Sequence, residues 1–159
     1  MKITYAPRNI LQIDDARIIY KNFAGKGDKF NREGDRNFAV VIPDEELADE
    51  LVDRGWNVRI KPPREDDEIP FMYLPVKVKF NDRGPNIYLR TGRNQIRLSE
   101  EAVSCVDHMD ILGVDLDIRP YDWEVNGKTG RTAYLQSMLV IQDVDRFADV
   151  YADEYPKDQ

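Results

Sequence analysis

The segment Phe71-Met72-Tyr73-Leu74-Pro75-Val76-Lys77-Val78-Lys79-Phe80 constrains this chain more than any other. Its even positions, Met72, Leu74, Val76, Val78 and Phe80, are all apolar. Successive side chains of a β-strand point to opposite faces, so this alternation sets one face against a core. The other face carries Phe71, Tyr73, Pro75, Lys77 and Lys79. Lysines that merely blunt an exposed edge are the plainer reading of such a face. Rings followed by ammonium groups, in phase, are more than edge protection needs. They suit a single-stranded nucleic acid, whose bases stack on rings and whose phosphates meet cations.

Charge points the same way. Between Lys77 and Arg97 stand Lys77, Lys79, Arg83, Arg90, Arg93 and Arg97 against one carboxylate, Asp82. The chain as a whole is acidic, with 23 Lys+Arg, 30 Asp+Glu and a formal net charge of -7. A basic island in such a chain predicts an anionic partner. Asn81 to Pro85 reads as a turn, and Asn86 to Thr91 as the returning hairpin strand. On that reading Ile87 and Leu89 join Val76 and Val78 in the core. Tyr88 and Arg90 then join Phe71, Tyr73, Lys77 and Lys79 outside, and Arg93 extends the cationic rim.

The remaining pattern is of strands and two short helices. Asn9 to Tyr20 is β-branched and reads as one strand or two around Asp14-Asp15. Asn37 to Ile42 is an apolar strand. Pro43-Asp44-Glu45-Glu46 opens a helix, with acids at the positive end of its dipole, and Gly55 stops it. Trp56 to Lys61 alternates with Trp56, Val58 and Ile60 on one face. Pro62 to Glu68 is a solvated connection. Ser99-Glu100-Glu101 caps a second helix ending near Met109. Val114 to Trp123 and Arg131 to Gln142 are strands joined by a hairpin with an Asn126-Gly127 turn signal. After Gln142 six carboxylates stand against Arg146 and Lys157, a net charge of -4 over residues 143–159. The expected organisation is one domain over residues 1–142 and an acidic, mobile tail over 143–159.

Two other groups carry cations and rings. The glycine-rich loop Asn22 to Asp35 holds Lys26, Lys29, Phe30 and Arg32, with Arg36 at its end. It reads either as an arm that closes over a nucleic acid strand or as a solvated loop with Phe23 in the core. Arg119, Tyr121, Trp123, Lys128, Arg131 and Tyr134 form either a second groove wall, with Lys128 at a hairpin tip, or core and surface positions of a ribbon.

Catalytic readings find less support. Gly127-Lys128-Thr129 looks like the end of a phosphate-binding loop, but the glycine required five residues earlier is Asp122. Asp115 and Asp117 invite a nuclease reading through a magnesium ion, although paired carboxylates on a strand are commonly just solvated. Cys105, the only cysteine, and His108, the only histidine, flank Asp107; a structural metal site needs about four ligands. One cysteine also excludes an internal disulfide, which fits a reducing cytoplasm. No metal, cofactor, enzymatic activity or membrane span is expected.

The assembled residues resemble bacteriophage and prophage single-stranded-DNA-binding proteins. The likeness rests on Asn22-Phe23-Ala24-Gly25-Lys26, on Phe30 to Phe38, on Leu74-Pro75-Val76-Lys77-Val78-Lys79-Phe80, on Arg119-Pro120-Tyr121-Asp122-Trp123 and on Asn126-Gly127-Lys128. It extends over most of residues 9–142. The resemblance implies a mainly β fold, an elaborated oligonucleotide-binding (OB) barrel with two short helices. It also implies a role in phage DNA replication or recombination in the cytoplasm of an infected bacterium. Proteins of this class often carry an acidic tail that contacts replication partners; here the chain ends Tyr155-Pro156-Lys157-Asp158-Gln159 rather than on an aromatic residue. The expected partners are single-stranded DNA and, through the tail, replication or recombination proteins. The competing reading is an acidic interaction module or DNA mimic that inhibits a host nucleic-acid enzyme.

Overall fold

The structure, a computed structural model, describes residues 1–62 and 71–144. The strands are β1 (Lys2–Ala6), β2 (Ile10–Ala16), β3 (Ile18–Asn22), β4 (Arg36–Ile42), β5 (Arg59–Lys61), β6 (Phe71–Val78), β7 (Asn86–Thr91), β8 (Asn94–Leu98), β9 (Ile111–Val125) and β10 (Lys128–Gln142). Among the described residues one α-helix, α1 (Glu45–Asp53), follows β4, and 3-10 segments Pro7–Asn9 and Val103–His108 precede β2 and β9. The mainly β expectation holds. The sheet runs β1-β2-β9-β10-β6-β4-β3, with β5 added on β6 and the β7-β8 pair added on β10. Among the described residues no ladder joins β1 to β3, so the strand order stays open.

The alternation of β6 positions it as read. Leu74, Val76 and Val78 are buried, while Lys77 and Lys79 are exposed. The buried residues join Leu11, Ile13, Phe38, Val40, Ile118 and Met138 in one hydrophobic cluster, to which Ile87 and Leu89 also belong. Removing such a side chain from water contributes about 1.5–3 kcal/mol. Phe23 is wholly buried and stacks on Phe38, with ring centroids 5.3 Å apart.

The expected hairpin between β6 and the strand at Asn86 does not form. β7 pairs antiparallel with β8, across a tight turn at Gly92-Arg93. Both β6 and β7 run parallel to β10: Lys77 lies opposite Tyr134, and Asn86 to Arg90 lie opposite Ser137 to Ile141. The chain therefore keeps its direction through the Asn81–Gly84 turn and continues along the same edge of β10. The burial pattern is identical in either arrangement, because side chains alternate with period two in parallel and antiparallel strands alike.

Helix α1 shows how local sequence fixes an end. The Asp44 carboxylate accepts the Leu47 N–H at 2.7 Å, an N-terminal cap. At the other end the Gly55 N–H donates to Val52 and the Trp56 N–H to Leu51. This paired closure needs a left-handed residue, and Gly55 (φ +95°) supplies it. Trp56 is buried as expected, but Ile60 is 63% exposed, since only Arg59–Lys61 pair with β6. The second helix is a 3-10 segment, with Val103 and Val106 on its buried side at the three-residue spacing that geometry requires.

The β9-β10 ribbon is the longest element, 15 residues in each strand. Asn126 and Gly127 both have positive φ, the two-residue turn whose twist matches the strands. Arg131 fixes the ribbon to the body. Its guanidinium donates to both Asp122 carboxylate oxygens, at 2.7 and 3.1 Å, and to the Arg54 carbonyl at the end of α1, and lies over the Trp56 ring. On the opposite face the Trp123 indole lies against Gly130, where a β-carbon would collide with it. Among the described residues no helix is long and apolar enough to cross a membrane. The connection from residue 63 to 70 and the tail from residue 145 lie outside the described residues.

Candidate nucleic-acid interface

Four adjacent strands put one residue each into a row across the outer face. Asn37 (β4) pairs with Lys77 (β6), Lys77 with Tyr134 (β10), and Tyr134 with Arg119 (β9). Directly paired residues share a face, so an amide, an ammonium, a phenol and a guanidinium succeed one another on the same surface. Arg119 sits over the Tyr134 ring at 5.0 Å, and Tyr121 meets Tyr134 edge-on at 6.2 Å. Further along β6 Tyr73 packs near Phe71, at 6.0 Å, and near Tyr20 of β3, at 5.5 Å and nearly perpendicular.

An open groove of about 1170 Å³ runs over this face. Its floor is Tyr73, Pro75, Lys77 and Tyr134, and Lys79 and Phe80 continue it. One wall is Tyr20 with the Asn22–Asp35 loop, and Arg59 of β5 lies on its border. Lys26, Arg59, Lys77 and Lys79 form no salt bridge among the described residues. Three of the four carboxylates in the groove are already engaged. Asp28 accepts the N–H groups of Phe30 and Asn31, Asp107 those of Phe23 and Ala24, and Glu100 pairs with Arg36 at 3.0 Å. Lys21, Lys26, Arg36, Arg59, Lys77 and Lys79 outnumber the four carboxylates of the lining, so the groove is net positive and attracts anions.

The Asn22–Asp35 loop is not the open arm of the flexible reading. Asn31 is its hub: its amide donates to the carbonyls of Lys26 and Asp35 and accepts from Asn37. Phe23 takes the place that the bland reading gave it. Phe30 stands 94% exposed on this hydrogen-bonded scaffold and faces the groove. Lys29 and Arg32 are exposed on either side of it without lining the groove. Arg36 lines the groove and is also held in place: it donates to the Phe23 carbonyl, pairs with Glu100 and lies 5.5 Å from the Phe80 ring.

The sequence grouped Tyr88, Arg90 and Arg93 with Tyr73 and Lys77, and the structure divides them. Because β7 follows β6 along β10 instead of folding back on it, Tyr88 lies opposite Leu139, five residues along β10 from Tyr134. Neither Tyr88 nor Arg90 lines the groove. Arg90 donates to Gln95, and Arg93 occupies the exposed turn between β7 and β8. One strand further, beyond β10, the row of Tyr88 and Leu139 reaches Asp115 of β9, and the row of Arg90 and Ile141 reaches Gly113. Burial and the nearby Asp14 push the Asp117 carboxyl above its usual range, and Asp115 accepts the Asp15 N–H. Lys128 is exposed at the ribbon tip, away from the groove. Phe71 is half-buried beside Tyr73 and does not line the groove.

Tyr20, Asn37 and Arg59 belong to the groove although no sequence pattern singled them out. Of the ribbon group only Tyr134 lines the groove; Arg119 and Tyr121 pack against its ring. Among the described residues no three His, Cys, Asp or Glu side chains gather as metal ligands.

Solved structures share this architecture. The single-stranded DNA-binding protein of bacteriophage Enc34, in a C-terminally truncated form, is 15% identical and superposes with a TM-score of 0.54 over 91% of this chain and 97% of that one. The same phage protein in complex with ssDNA is 16% identical, with a TM-score of 0.53 over 92% and 93%. At these identities the likeness establishes the fold, the OB-like β architecture. No curated protein matches the sequence. The family model described as "Putative phage ssDNA-binding domain" matches residues 1–158, nearly the whole chain, and the protein accordingly belongs to the phage ssDNA-binding domain family.

Proposed function

We infer that this protein binds single-stranded DNA with little regard to sequence and without catalysis, in phage replication or recombination in the cytoplasm of an infected bacterium. The row Asn37–Lys77–Tyr134–Arg119 carries the reading. Every base offers a π-face, so rings read bases indifferently, and each stacked base contributes about 1–3 kcal/mol. Tyr73 and Tyr134 are the stacking rings, Lys26, Arg59, Lys77 and Lys79 the phosphate contacts, and Phe30 meets the strand from the hydrogen-bonded loop. Lys29 and Arg32 add charge beside Phe30. The domain ends at Gln142, and the acidic segment beyond it competes with DNA or recruits replication proteins, a reading that rests on its charge alone.

The test is a gel-shift and anisotropy series with single-stranded DNA, duplex DNA and RNA in metal-free buffer, followed by magnesium. The expected result is an intact, shifted single strand. With about four phosphates neutralised, log affinity falls against log salt with a slope of about -2.8. A DNA mimic shifts nothing, and a nuclease degrades the strand once magnesium returns; either result overturns the reading.

A further inference from the structure

Tyr20 stands where glycine is the ordinary choice. On β3 the register to β4 passes from Ile19–Ala39 to Asn22–Asn37, so β3 carries one residue more than its partner, a β-bulge. Bulges re-aim side chains and recur beside functional sites. Tyr20 within it has φ +52°, the left-handed region that bulky side chains avoid. Burial does not account for this, because the ring is 53% exposed. The bulge also separates two neighbours: Lys21 turns to donate to the Val106 and Met109 carbonyls, while the Tyr20 ring stands over the groove. There it meets Tyr73 at 5.5 Å and 78°, so the two rings make an open corner.

We propose that the Tyr20–Tyr73 corner is a seat for one nucleobase of the bound single strand. A base stacked on one ring meets the other edge-to-face, both favoured aromatic geometries. Strain at a half-exposed residue persists when the surrounding structure over-determines it, and such residues cluster at ligand sites. The proposal rests on the single-stranded DNA reading and adds a residue that the alternation of β6 does not contain.

The decisive variant is Tyr20→Asn, because asparagine accepts the left-handed conformation and carries no ring. Tyr20→Phe keeps the ring and loses only the hydroxyl. Anisotropy with an oligothymidylate and thermal unfolding are measured on the full chain. The expected outcome for Tyr20→Asn is a melting temperature no lower than that of the unaltered protein with affinity reduced by about five- to fiftyfold, in the range for one lost stack. The salt slope stays the same, since no phosphate contact is removed. Tyr20→Phe binds like the unaltered protein. Undiminished affinity in Tyr20→Asn overturns the proposal. So does a lowered melting temperature, which would assign the ring to folding. Failure of the unaltered protein to bind single strands overturns the parent reading instead.

Discussion

Lys77 of β6 lies opposite Tyr134 of β10 at the single position where these two strands pair, in parallel. That pair joins the basic strand to the long ribbon and brings ammonium and ring together on one face. Removing each group should give a different signature. Tyr134→Ala is expected to weaken single-strand binding by about 1–3 kcal/mol with the salt slope unchanged. Lys77→Ala should flatten that slope by about 0.7. Anisotropy titrations over a range of salt concentrations read both, and equal slopes in the two variants would refute the assignment.

Tyr73 and Tyr88 were indistinguishable by periodicity, and the fold separates them. Tyr73 lines the groove, and Tyr88, 37% exposed, does not. Tyr73→Ala should cost about 1–3 kcal/mol of binding, whereas Tyr88→Ala and Arg90→Ala should leave affinity within about twofold, well under the tenfold that 1.4 kcal/mol represents. Equal losses in Tyr73→Ala and Tyr88→Ala would mean that the strand also crosses β7.

Gly130 is held to glycine by its neighbour. A methyl group there collides with the Trp123 indole, so Gly130→Ala must displace the ring. Overpacking of this kind costs about 1–3 kcal/mol. Thermal or urea unfolding should show the loss, and pairing with Trp123→Ala should recover part of it.

The Arg131–Asp122 pair predicts a pH dependence. Hydrogen bonding from Arg131 holds the Asp122 carboxyl below its usual range. A carboxyl depressed in the folded state stabilises above its unfolded pKa, about 3.9, and that stability disappears as pH falls through the lower folded value. Asp122→Asn should therefore be less stable than the unaltered protein at neutral pH and converge with it in acid. Asp122 is largely exposed, so solvent screening limits the difference to about 1 kcal/mol or less. A constant difference across the acid range would assign the effect to packing.

Removing residues 143–159 takes away a net charge of -4. A chain ended at Gln142 should bind single strands more tightly, most clearly at low salt, where screening is weakest. Identical affinities at low salt would argue against competition between the tail and DNA.

What was legible in the sequence is what depends on neighbours along the chain. The period-two burial of Leu74, Val76 and Val78, the Asp44 cap and Gly55 stop of α1, and the Asn126-Gly127 turn are each fixed within a few residues. So is the placing of Lys77 and Lys79 on the exposed face of β6. The composition of the site followed from these, but its membership did not. Tertiary structure alone decided that β7 continues β6 along β10, removing Tyr88 and Arg90 from the groove, and that Tyr134 enters it with Arg119 over its ring. It also decided the bulge that presents Tyr20. The physical reason is that alternation reports which face a side chain takes and carries no information on which strand lies alongside. Strand partners are chosen by packing between residues far apart in sequence, Lys77 and Tyr134 among them, and a change of partner leaves every local pattern intact.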